Sequence, residues 1–275
     1  MTQGLPRTRF NSAGLVRVLA ELAVADPADP KQTFAERLGE WLDLKAALAL
    51  YSALNATAAD ALPRAAPVAA LHAELARVRG ELSGAVAAAG AQQPGGTNLA
   101  LPAPLPNASI ADAADFTPFH RYYLAHQRAM AAAVGPLRAG VRAALGRQSA
   151  ALRQLAALDA VMEQALSPRE ASLLATVPVL LGKRFAQLFE AHQRAHETAA
   201  SDRPQHEGAG LVDPGSAAAA DAPPADDPAR WMQPGAWLAR FCAEMQRVLL
   251  AELELRLMPV VGLLAALDTE STGQE

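Results

Sequence analysis

A single cysteine, Cys242, occurs in the 275 residues, which excludes an intramolecular disulfide and any Cys-rich metal site and fits a reducing compartment. Aromatic residues make up only 5% of the chain and isoleucine occurs once, at Ile110. Valine is sparse, while alanine and leucine abound. That balance favours helix over sheet. No apolar run approaches the ~20 residues of a membrane span. The stretch 15–24 is interrupted by Arg17 and Glu21 where the core of a signal peptide would be clean, and the stretch 173–181 contains Pro178. Also lacking are a GxSxG elbow, a P-loop, a strand ahead of GxGxxG, and HExxH. The expectation is a soluble cytoplasmic protein without membrane insertion.

Apolar residues make up 51% of the chain, enough for a sizeable core. The predicted fold is all-α: a helical bundle of long antiparallel helices with two unstructured linkers. Five segments are expected: an N-terminal helical layer over 12–88, a linker over 89–110, central long helices over 111–197, a disordered acidic linker over 198–233, and a C-terminal helix over 234–268 that packs back on the central helices.

The central segment carries the strongest pattern. Counted at 100° per residue from Met130, the residues Phe116, Phe119, Tyr123, His126, Val134, Leu137, Val141 and Leu145 share one helix face. Arg121, Arg128, Arg138 and Arg142 fall away from it, and residues 121–153 hold six arginines and no acid. Asp115 or Thr117 can cap this helix with Pro118 in its first turn, and Gly135-Pro136 is expected to bend it. A second central helix bears Leu152, Leu155, Met162 and Leu166 on a stripe interrupted by Asp159. A capping box at Ser167-Pro168-Arg169-Glu170 opens a third, to be kinked by Pro178.

Upstream, a short helix presents Leu15, Val18, Leu19 and Leu22. Asp29-Pro30-Lys31-Gln32 opens a helix to about Asn55, with Phe34, Leu38, Trp41, Leu42, Leu48 and Tyr51 on its core side. Val68, Leu71, Leu75, Val78, Leu82 and Val86 form the most regular seam, read as a hairpin partner of that helix, with Trp41 buried among leucines. Residues 90–110 and 198–230 have no apolar period and are expected to lack regular structure. The last helix sets Leu238, Phe241, Met245, Leu249, Leu253, Leu257, Val260, Leu264 and Leu267 inward, with Arg240, Glu244, Arg247 and Glu254 opposite. Pro259 and Gly262 should bend or interrupt it.

Polar residues inside apolar stripes are the remaining candidates. His192 and His196, at i and i+4, have metal-ligand spacing but no third ligand, and two helix-end histidines are the preferred reading. His126 with Asp159 has the types of a base held by a carboxylate, yet a buried polar network is preferred to catalysis. The two helices meet at a short Gly146–Ser149 connection, so His126 and Asp159 should differ in height by roughly 15 Å and not pair. Asp159 is expected to reach Arg138, and His126 a group from the third or last helix.

The segments FAERLGEWLD, FHRYYLAHQRAM, GPLRAGVRAAL, LAALDAVMEQAL, ATVPVLLGKRF and LLAELELRLMPVVGLLAAL lie in order through the chain. Together they resemble a proteobacterial domain-of-unknown-function family of short cytoplasmic helical proteins. Genes of that family stand beside genes for a membrane protein with a long coiled region and for an OmpA-like, peptidoglycan-binding protein. The resemblance therefore implies an accessory subunit of an envelope-linked assembly. It assigns no catalytic residue.

The expected function is a non-enzymatic interaction or assembly protein that docks helices on a protein partner or on itself, with no cofactor or metal. The alternative is a nucleic-acid-binding accessory protein using Arg121, Arg128, Arg138 and Arg142 as its face.

Overall fold

The computed structural model describes residues 14–22, 34–55, 67–88, 100–104, 109–201 and 227–272. These residues are all-α, with ten helices: α1 (Gly14–Glu21), α2 (Phe34–Trp41), α3 (Leu44–Asn55), α4 (Val68–Ala87), α5 (Ile110–Ala113), α6 (Thr117–Leu145), α7 (Ala150–Leu174), α8 (Val177–Ser201), α9 (Pro228–Trp231) and α10 (Trp237–Thr272). The capping box at Asp29 and most of the two linkers lie outside the described residues. Of the first linker, residues 100–104 have no regular structure, and α5 begins at its end. The second linker is narrower than expected: α8 continues to Ser201, and Pro228–Trp231 forms a helical turn. Trp231, only 2% exposed, anchors that turn beside the Trp237 ring.

Helix α10 is the axis of the molecule. At 36 residues it is about 54 Å long, and α1, α4, α6, α7, α8 and α9 all pack on it. Its buried residues, among them Phe241, Met245, Val248, Leu249, Leu253, Leu257, Val260, Leu264 and Leu267, cover about half of its circumference, while Arg247, Glu254, Met258 and Val261 on the other side are exposed. An apolar face that wide must be covered by more than one neighbour, which explains why several elements pack along it. It runs unbroken through Pro259 and Gly262.

The second long helix, α6, begins where Asp115 accepts the Thr117 N–H (2.8 Å) and Pro118 occupies the first turn, where its missing donor costs nothing. It continues through Pro136 to Leu145. The chain then turns back through Gly146–Gln148, and the Ser149 hydroxyl accepts the Leu152 N–H to cap α7 (3.2 Å). At one end of the bundle the rings of Phe116, Phe119, Phe185, Phe241 and Trp237 stack edge-on or tilted, with centroids 5.0–6.1 Å apart. Gly182 permits this, since a Cβ there would lie 3.2 Å from the Phe116 ring.

Two helix boundaries differ from the sequence reading. Ser167-Pro168 opens no helix, because α7 runs through it to Leu174. The break falls at Ala175-Thr176, where the Thr176 hydroxyl donates to the Leu173 carbonyl (2.7 Å). Pro178 then lies in the first turn of α8, the position that tolerates it. The helix expected to reach Asn55 from Pro30 is also two pieces: Asp43 accepts the Ala46 N–H (2.7 Å) and starts α3 afresh.

That restart changes which side is buried, so residues 12–88 do not form one layer. Helices α1 and α4 pack on α10, and α4 also on α6, whereas α3 packs on α7 and makes no comparable contact with another described helix. No α3–α4 hairpin forms. Trp41 is half-buried, under the Arg169 guanidinium of α7 (5.2 Å to the ring centroid) rather than among the leucines of α4.

Phe241, fully buried against the rings of Phe116, Phe119 and Phe185, is expected to be a main anchor of the core. Phe241→Ala should lower stability by about 3–5 kcal/mol, read as a shifted denaturant midpoint with an unchanged slope.

Candidate interaction surfaces and the polar core

Three ion clusters knit the long helices together. In the first, Arg138 of α6 grips Asp159 of α7 with two bonds (2.6 and 2.9 Å), and Arg142, one turn on, bonds Asp159 at 3.1 Å and also Glu163. Arg138 also reaches Glu163. All four side chains are at most 30% exposed. Burial lowers the affinity of Arg138 for its proton, and the carboxylates of Asp159, Glu163 and Glu170 more than reverse that, leaving it above its ordinary value.

This cluster corrects the expectation of one four-arginine face. Arg121 and Arg128 are exposed, but Arg138 and Arg142 point between helices into carboxylates. Both sat nearest the apolar stripe on the helical wheel, within reach of the second helix. His126 and Asp159 are not brought together by any bond of either ring or carboxylate.

The second cluster was not foreseen. Glu252 of α10 is 0% exposed and accepts the Tyr123 hydroxyl at 2.6 Å, the Gln127 amide at 3.0 Å, and Arg256 at 2.7 and 2.9 Å. Gln127 also donates to the Leu174 carbonyl (3.2 Å), so one amide touches α7 and α10 from α6. Burial, then the neighbouring carboxylate, raises the Tyr123 hydroxyl far above its ordinary pKa. A signal was present: Glu252 lies seven residues after Met245 and three after Leu249, on the apolar stripe.

In the third cluster Glu244, 7% exposed, takes two bonds from Arg184 of α8 (2.7 and 2.8 Å) and one from Arg240 (3.0 Å). Its assignment to the wet side of the last helix is therefore corrected: α10 is covered on that side by α8. Burial pushes this carboxyl up, and the bonds and charges of the two arginines outweigh it, leaving the group below its ordinary value.

His126 is 2% exposed, its ring edge-on to Tyr122 at 4.5 Å, and its Nε2 has no hydrogen-bond partner among the described residues. No group from α8 or α10 meets that nitrogen, contrary to expectation. Burial pushes its pKa down to about 4, so it is neutral in the fold. Cys242 is likewise buried, its thiol pushed up to about 12. His192 stacks on Trp237 (5.8 Å, 25°), with His196 6.5 Å away. Among the described residues no group of three His, Cys, Asp or Glu side chains is placed to hold a metal ion.

The apolar surface is concentrated on α3. Leu44, Leu48, Tyr51 and Leu54 are 77%, 60%, 68% and 54% exposed. Counted at 100° per residue they lie within about 120° of arc. The opposite side, Ala46, Ala49 and Ala53, faces α7. Leu48 and Tyr51 were expected in the core. The new helix start at Asp43 reset the phase, and the alanine side permits the closer approach to α7. A second apolar concavity, about 700 Å³ between α1 and α10, exposes Met258 and Val261 between Arg17 and Arg79. No described helix is long and apolar enough to cross a membrane.

A family model described as "Protein of unknown function (DUF3348)" matches residues 1–269. No curated protein and no solved structure matches the chain.

Two measurements check the polar core. Glu252→Ala strands the Arg256 charge and the Tyr123 hydroxyl and should cost about 3–5 kcal/mol, while the double change to leucine at both Glu252 and Arg256 should cost less than either single change. The second is pH dependence. Between pH 6.5 and about 4 the unfolded chain binds a proton at His126 that the fold refuses, so stability should fall as pH drops through that window, by on the order of 3 kcal/mol. Glu244, held low in the fold, adds a further loss below about pH 4.5. His126→Leu should flatten the upper part of the curve, measured by urea titrations at stepped pH.

Proposed function

The chain belongs to the DUF3348 family, and from that premise we propose that it is a non-enzymatic assembly protein that docks helix to helix through the outer face of α3. The observation that carries this reading is the row Leu44, Leu48, Tyr51 and Leu54, all more than half exposed on a helix whose other side is already packed. Exposed large apolar residues at helical spacing are what a partner helix covers, and their burial releases roughly 25 cal/mol per Å². The buried polar groups fit the same view. The carboxylates of Asp159, Glu163, Glu244 and Glu252 are each engaged by arginine, so they act as struts and not as reagents. The resemblance to proteobacterial proteins encoded beside envelope components supports a cytoplasmic accessory subunit of an envelope-linked assembly. The nucleic-acid reading retains only Arg121 and Arg128 as exposed cations of its four, and is the weaker.

A photo-reactive amino acid placed at Leu48 of the full chain in living cells tests this. Leu48 should give discrete protein cross-links, and the same probe at the exposed Glu190 on α8 should give none of them. Equal labelling from both positions would contradict the docking face.

A further inference from the structure

We draw no further inference here: the strongest candidate, the concavity between α1 and α10 where Met258 and Val261 stand exposed, is lined by as many carboxylates (Glu21, Glu254) as arginines (Arg17, Arg79), and nothing in the structure shows what covers it.

Discussion

A carboxylate with no exposure to water holds the centre of this molecule. Glu252 is tolerable inside the bundle only because Arg256, Tyr123 and Gln127 all point at it, and an ion so placed penalises any arrangement in which one of them is absent. Tyr123 and Gln127 are one turn apart on α6, and Glu252 and Arg256 one turn apart on α10. The contact therefore fixes both the height and the rotation of the two longest helices relative to each other. Leucines alone would tolerate a slip by a turn, and this cluster does not. The same restraint recurs between α6 and α7 in the Arg138–Asp159 ladder and between α8 and α10 at Glu244.

Much of the architecture was legible because long apolar periods dominate it. The α6 stripe, the turn at residues 146–149 and the reach of Arg138 to Asp159 follow from helical geometry and one short connection. The inward set of the last helix was legible too, with one omission: Glu252 sits within that stripe, and a rule that assigns charged residues outward passes over it. Glu244 was misplaced for a related reason. Arg240, Arg247 and Glu254 do lie on the exposed side, but Glu244 falls at its edge, where α8 covers it.

The less legible parts are those where local chemistry competes with period. Pro168 looked like a helix start and Pro178 like a kink, yet α7 runs through Pro168 and Pro178 takes the first turn of α8. Asp43 supplied a cap in the middle of an apparently continuous pattern and rotated everything after it. In α3 the usual correspondence of large with buried is inverted, because alanines allow close approach to α7 while the leucines and Tyr51 remain outside. No scale that ranks residues by size or hydrophobicity anticipates that choice without knowing which helix lies next to it.

Among the described helices α3 packs substantially only on α7, and this has a consequence for how the molecule breathes. Helices bonded to several neighbours can open only when the whole core opens, but a short helix held by one neighbour can detach by itself, as an independent unit of local unfolding. Its amide protons would exchange long before those of α10, whereas α7 stays tied to α6 by the Arg138–Asp159 ladder. The face proposed for docking thus lies on the helix whose order costs least to give up, leaving the ion-locked centre undisturbed when it does.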